Sequence, residues 1–349
     1  MAADDLDLTV NNGEYLCLLG PTGAGKTTAL RIIAGLTKPD SGQVLFDDRD
    51  ITRLEPEERN AVLLSQTYSL FPTMTVAENI LFGPSIRKMP EEEKKQTLVE
   101  LLDLVRLTKR ADSYPRELSG GMQQRNALAR ALATSPDVLL LDEPLRALDA
   151  RLRIDLRYEL RSMAKSLGLT VIHVTHDQEE AMVMADRIAV IRDGRIVQIG
   201  TPREVFDSPA TPFVANFVGQ SNFFTGSILC SGHGRTTTVH DEEGRIVFAR
   251  PCTLPVDSKV VVAIKIGNTR VVKKSDAFLT GTVERTLFEG RIVHLDVGIP
   301  GLERFSVKLP ASRRDQVTVG DEIGLNWGVQ KASVFPYPEG GLDNELRVD

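Results

Sequence analysis

An α/β domain with a helical insertion, followed by a smaller all-β domain, is the architecture this sequence predicts, and three observations carry it. From about residue 6 to 220 apolar runs alternate with helical patterns, as in a sheet covered on its faces. The first such run leads into the glycine-rich stretch "GPTGAGKTT", Gly20 to Thr28. After "ATPFVANFVGQSN" the chain changes to short β-branched runs broken by Gly and Asp.

The strands expected in the first domain are "YLCLLG", "VLLLD", "TVIHVT" and "RIAVIR". Asp193-Gly194 then leads into "RIVQIG", a hairpin signal because Asp-Gly accepts positive φ at the turn. Between the first two of these strands lies a helical insertion, about Val76 to Arg130, in which Leu98, Leu101, Leu102 and Val105 recur at helical spacing. The run "EEEKK", Glu91 to Lys95, reads as the solvated face of that helix rather than as a docking patch. In the second domain "GRIVFAR", "KVVVAIKI", "GRIVHLDVG", "RFSVKLP" and "DEIGLNW" predict a small sandwich or barrel. The boundary is placed near Gln220, giving domains of 1–220 and 221–349. There is no clear internal repeat and no low-complexity linker.

Composition narrows the function classes. The chain has 349 residues, 42% of them hydrophobic and 26% charged, as in a soluble globular protein of two or so domains. A net charge of −6 speaks against a general nucleic-acid binder, which normally shows a basic domain or stripe. Three cysteines without close pairing argue against a zinc or redox motif and for a reducing compartment. No apolar run approaches the ~20 residues that span a bilayer, and "MAADDLD" lacks the features of a signal peptide. Any membrane role would come through a partner.

Gly20 to Thr27 fits G-x-x-x-x-G-K-[ST] without a mismatch, after an apolar strand and before the helical "TTALRIIAGL". In such a P-loop Gly20, Gly23 and Gly25 let the backbone turn around phosphate oxygens, with Pro21, Thr22, Ala24 and Thr28 completing the cradle. Lys26 brings a compact charge to the terminal phosphates, and the Thr27 hydroxyl can ligate Mg²⁺. The P-loop alone leaves kinases, GTPases and ATPases open. "DVLLLDEP" narrows them, because it sets Asp142 and Glu143 at the carboxyl end of a strand, where α/β sheets bind ligands. Asp142 is the candidate for holding Mg²⁺ through its water shell, and Glu143 for taking a proton from the attacking water. His176, after "VIHVT", could face phosphate from a strand end, but the sequence itself decides little there. His173 reads as structural. A second anion grip lies in "ELSGGMQQRNALARAL", where Ser119, Gly120 and Gly121 sit at the open end of a helix with its free N–H groups.

Taken in order, these elements resemble the ATP-binding subunit of an ATP-binding cassette (ABC) transporter over nearly the whole chain. Residues 20–27 look like its Walker A motif and Gln66 in "LLSQTYSLFPTMTVAENI" like its Q-loop glutamine. "LSGGMQQR" looks like the signature motif, "VLLLDE" like Walker B, "LRALD" like the D-loop and "THD" like the switch-histidine loop. The resemblance implies that Gln66 senses Mg²⁺ and the γ-phosphate, Glu143 polarises the water, His176 contacts the γ-phosphate, and Asp149 links two sites. It further implies a head-to-tail homodimer or pair of ATPase subunits, in which Ser119, Gly120 and Gly121 of one copy close over ATP held by the other. The tail resembles the regulatory TOBE-like domain of importer ATPases of the maltose, polyamine, ferric-iron and thiamine type. Membrane permease subunits, an extracytoplasmic solute-binding protein and a place on the cytoplasmic face of the membrane are implied in turn. The transported solute is not.

Three departures stand out. The family normally has a further strand before "LDLTV", bearing an aromatic that stacks on adenine, so an exposed edge is expected at "LDLTV" and ATP affinity lower by the ~1–3 kcal/mol of a base stack. Met122 replaces the signature's usual glutamine and cannot donate its hydrogen bond. Arg146 stands where the D-loop usually has serine, with an effect of unpredicted sign. Two other readings compete with an importer ATPase. One is a soluble cassette ATPase acting on DNA or ribosomes, disfavoured by the short spacing from Lys26 to Ser119 and by the single cassette. The other is an ATP-binding regulatory subunit with weak turnover, disfavoured by Glu143 and His176.

Overall fold

The computed structural model of the chain describes residues 3–146, 148–231, 236–302 and 305–347. Ala147 of "LRALD" and Arg304 at the head of "RFSVKLP" lie outside the described residues. The chain divides into two compact units, residues 1–202 and 203–349.

The first unit runs through β1 (Tyr15–Leu19), α1 (Lys26–Ile33), β2 (Leu45–Phe46), β3 (Arg49–Asp50), β4 (Ala61–Leu64), α2 (Val76–Ile86), α3 (Glu91–Leu104) and α4 (Gly120–Leu132). It continues with β5 (Val138–Asp142), α5 (Ala150–Ser166), β6 (Thr170–Thr175), α6 (Gln178–Met184), β7 (Arg187–Arg192) and β8 (Arg195–Gly200). Six strands form one sheet in the order β4-β5-β6-β1-β7-β8, parallel except for the antiparallel β7–β8 hairpin. β1 is buried at every residue, which is why it reads as an uninterrupted apolar run: a central parallel strand is covered on both faces. The hairpin closes through Asp193 and Gly194, both at positive φ, as the Asp-Gly pair predicts.

Helix starts follow local chemistry. Thr75 caps α2 and forms a capping box with Glu78. Ser119 caps α4, and Asp149 caps α5. On α3, Leu101 and Leu102 are buried while Glu91, Glu92 and Lys95 face solvent; Lys94 of the same run is largely covered. The strand β4 does not stand out in the sequence, yet it pairs in parallel with β5. "LDLTV" forms no strand, and thus no exposed edge strand: Leu6, Leu8 and Val10 pack irregularly against the apolar layer of Leu16, Leu18 and Leu30.

The second unit carries all but the first residue of α7 (Pro202–Asp207), then α8 (Pro212–Phe217), β9 (Ser221–Cys230), β10 (Thr237–His240), β11 (Ile246–Ala249), β12 (Lys259–Lys265), β13 (Arg270–Val272) and β14 (Leu279–Phe288). β15 (Ile292–Gly298), β16 (Phe305–Pro310), β17 (Glu322–Asn326), β18 (Ala332–Pro336) and α9 (Leu342–Leu346) complete it. Its strands form two antiparallel five-stranded sheets, β11-β10-β9-β12-β18 and β13-β17-β14-β15-β16. They share a core around Phe224, Phe305, Leu325 and Trp327, whose indole N–H donates to Phe248 O at 2.9 Å. Composition changes near Gln220, but the second unit takes in α8 before it. Ala215 of α8 packs on Ala263 and Phe335, and Lys265 Nζ donates to Ala215 O and Val218 O at 2.6 Å each.

Candidate functional site

The loop between β1 and α1 has the backbone that its glycines require. Gly25, the residue before α1, sits at φ +95°, a conformation closed to most side chains, and a Cβ on Gly20 would lie 2.2 Å from Ile191 O. Pro21, Ala24, Gly25 and Lys26 are buried, Thr28 is half-buried, and Thr22, Gly23 and Thr27 form the exposed rim. The Lys26 ammonium donates to Gly20 O at 2.8 Å and Pro21 O at 2.7 Å, so it is held inside the curve of its own loop. Burial pulls its pKa down, opposed by the nearby carboxylates of Glu143 and Asp142.

Those carboxylates arrive on β5, next but one to β1 in the sheet. Thr27 Oγ1 donates to Asp142 Oδ1 at 3.0 Å. Burial pushes the Asp142 carboxyl up while this hydrogen bond opposes the shift. Glu143 follows at positive φ (+47°), which turns the chain sharply at the strand end. Its Oε1 lies 3.1 Å from His176 Nδ1, just beyond β6, and its Oε2 2.8 Å from Arg146 Nη1. Burial raises its pKa, but the hydrogen bonds and charges of His176 and Arg146 together outweigh burial and hold the carboxyl below the usual range. The ionised carboxylate can only accept, so Nδ1 carries the proton of the His176 contact. His173 lies inward: its Nδ1 meets Tyr15 OH at 3.0 Å, and burial brings its pKa down to about 3, leaving a neutral core imidazole.

Lys26, Thr27, Asp142, Glu143 and His176 therefore converge from three strands that are far apart in the chain. Gln66 is exposed in the turn after β4, and its side chain makes no hydrogen bond among the described residues. Sequence reasoning missed what shapes that turn. Arg130, in the last turn of α4, donates to Ser69 O at 2.8 Å and Tyr68 O at 3.0 Å, both residues at positive φ. Asn79, fully buried, ties the following segment by accepting from Phe71 N and donating to Phe71 O, Met74 O and Thr75 O. Apart from a long polar side chain in a helical pattern, nothing in the sequence marks either residue.

Ser119, Gly120 and Gly121 open α4 as expected, with the Ser119 hydroxyl accepting from Met122 N at 3.4 Å. They make no hydrogen bond to the Gly20–Thr28 loop of the same chain; a Cβ on Gly121 would instead meet Leu152 of α5 at 2.8 Å. Asp149 is exposed and accepts from Leu152 N at 3.0 Å as the cap of α5.

Hard oxygen donors at Thr27 and Asp142 fit a magnesium ion that keeps most of its waters and takes further oxygens from phosphate. Among the described residues there is no group of three or more His, Cys, Asp and Glu that could hold a metal ion. Nor is any described helix long and apolar enough to cross a membrane.

The chain is similar to known proteins along most of its length. Residues 3–146 match the ABC transporter family, and residues 259–335 the TOBE domain. The spermidine/putrescine import ATP-binding protein PotA of Mesorhizobium japonicum is 41% identical over 339 residues, 96% of this chain and 92% of that protein. PotA of Aggregatibacter actinomycetemcomitans is 48% identical over 242 residues, 69% of this chain; the chain spans 65% of that relative's length. Among solved structures, the ATP-binding cassette MJ0796, a dimer in a post-hydrolysis state bound to ADP and Pi, matches with a TM-score of 0.51 and 34% identity. That match covers 58% of this chain and 91% of MJ0796.

Proposed function

Because the chain belongs to the ABC transporter ATPases, among their import ATP-binding subunits, we propose that it couples ATP hydrolysis to uptake of a small cationic amine of the spermidine/putrescine kind through separate membrane subunits. The observation that carries the reading is the gathering of Lys26, the Thr27–Asp142 pair and the Glu143–His176 pair at one end of the sheet. The solute class rests on the relatives, since none of these residues would touch it.

ATP sits in this reading with its phosphates in the Gly20–Thr28 loop, where backbone N–H groups and Lys26 bind them. Thr27 and Asp142 would hold Mg²⁺, with Gln66 approaching from its turn, and the ion would supply charge neutralisation on the β- and γ-phosphates. Glu143 takes a proton from water as the water oxygen bonds to the γ-phosphorus and the bond to the ADP oxygen breaks, giving ADP and inorganic phosphate. His176 exchanges its Glu143 contact for the γ-phosphate. Ser119, Gly120 and Gly121 of a second copy close over the same ATP, and Asp149 lies near that junction; the dimeric MJ0796 cassette supports such a pairing. Closure and release then shift the population of conformations available to permease subunits on the cytoplasmic face of the membrane, which receive solute from a binding protein outside.

The test is Glu143→Gln in the purified full chain. Turnover of ATP with Mg²⁺ should fall by about 10²–10⁴-fold while ATP still binds, the usual worth of a general base. Undiminished hydrolysis would remove Glu143 from the role of base, and absence of hydrolysis in the unaltered chain would remove the ATPase reading altogether.

A further inference from the structure

The turn between β5 and α5 holds a charge that does not belong to the phosphate grip. Arg146 N donates to Glu143 O at 3.2 Å, closing a turn that brings the two side chains to the same side. Arg146 Nη1 then reaches Glu143 Oε2 at 2.8 Å, while His176 holds Oε1 at 3.1 Å. Both oxygens of the carboxylate are thus engaged. The two partners differ in exposure: the Glu143 side chain keeps 17% of its surface and that of Arg146 56%. From α5, Arg153 Nη2 donates to Leu148 O at 3.1 Å and reaches Arg146 O at 3.5 Å, which steadies the backbone of the turn behind the ion pair.

We infer that Arg146 is a latch on Glu143, a positioning residue whose ion pair turns the carboxylate away from water and holds back turnover in the isolated chain. The inference rests on the reading of Glu143 as the base. A base that must draw a proton from water needs a free lone pair aimed at that water and an uncompensated charge behind it. The Arg146 contact works against both, because a guanidinium fixes the plane of the carboxylate it binds, so that the lone pairs left free are not turned to the water, and offsets its charge. A serine here, the residue usual in the D-loop that "LRALD" resembles, carries no charge and is too short to do the same. The exposed guanidinium also leaves the latch open to competition: an acceptor approaching the turn can draw Arg146 off without disturbing buried structure.

The experiment is Mg²⁺-dependent ATP hydrolysis by the purified full chain, unaltered and as Arg146→Ser and Arg146→Lys, with affinity for a fluorescent ATP analogue measured alongside. An ion pair with one exposed partner is a weak restraint, so Arg146→Ser should raise kcat by roughly three- to tenfold, with KM and analogue affinity unchanged. Arg146→Lys should fall between, since an ammonium keeps the charge but not the fork. Rising salt should raise kcat of the unaltered chain towards that of Arg146→Ser and leave the variant flat. A lower kcat or weaker analogue binding in Arg146→Ser would overturn the latch, showing that Arg146 serves the phosphates. Equal kcat in all three proteins would overturn it as well. Should Arg146→Ser fail to fold, Arg146→Gln and the salt series on the unaltered chain decide alone, and a salt-independent kcat rejects the inference. If no protein hydrolyses ATP, the underlying reading fails and the latch with it; if all hydrolyse it alike, only the latch fails.

Discussion

Thr27 Oγ1 donates to Asp142 Oδ1 across 3.0 Å, joining the first turn of α1 to the end of β5 over 115 positions of sequence. The contact aligns two oxygens that a hydrated divalent cation would use and holds the P-loop in register with the strand that carries Glu143. Burial raises the Asp142 carboxyl, so its charge is costly where it stands and has most to gain from a cation.

Asp142→Ala should therefore uncouple the metal from the nucleotide. We expect binding of ATP without divalent ion to persist while the Mg²⁺ concentration needed for half-maximal hydrolysis rises by about 10–100-fold, the usual effect of losing a group that acts through a metal's waters. Titrating Mg²⁺ against turnover and against nucleotide affinity separates the two. An unchanged Mg²⁺ requirement would count against Asp142 as the metal's partner.

Ser119 lies at an exposed helix start whose hydroxyl is spent on its own cap. Ser119→Arg should leave nucleotide affinity of the single chain close to that of the unaltered protein and abolish ATP-dependent dimerisation in a Glu143→Gln background. Light scattering on the eluted protein reads the mass directly. Loss of nucleotide binding by the monomer would place both grips on one ATP within one chain.

The acid limb of stability should carry the mark of His173. Its folded pKa is about 3 against an ordinary 6.5, so between those values the unfolded chain takes up a proton that the native chain refuses. Stability therefore rises with pH across this window and is lost on acidification, by up to ~1.4 kcal/mol per pH unit at full slope. Glu180 works in the opposite sense, because burial raises its carboxyl and the native state holds its proton longer. Between pH 5 and 6.5, His173→Gln should flatten the dependence of urea unfolding free energy on pH. A parallel pair of curves would show that His173 ionises in place.

Much of the first unit can be read along the chain because its causes are local. The runs "YLCLL", "VLLLD" and "TVIHVT" are dominated by apolar residues because the strands they form are covered on both faces, and Ser119, Asp149 and Thr75 start helices by accepting from N–H groups a few residues on. The P-loop is visible because its glycines answer a backbone requirement within eight residues. β4 escaped notice because four residues, three of them half-buried, carry too little pattern. The extent of the second unit escaped because α8 is claimed by Lys265 and Ala263, contacts with no trace in local composition.

The chemistry of the site divides along the same line. Residue types and spacing set which groups can act: a lysine and hydroxyl after a glycine turn, two acids at a strand end, a histidine after another. Which of them meet is decided by the order of strands in the sheet. Parallel pairing places β1, β5 and β6 so that their carboxyl ends coincide, bringing Thr27 to Asp142 and His176 to Glu143. Only the turned backbone at Glu143 delivers Arg146 to the same carboxylate, since a contact between neighbours in sequence still depends on the φ that aims them.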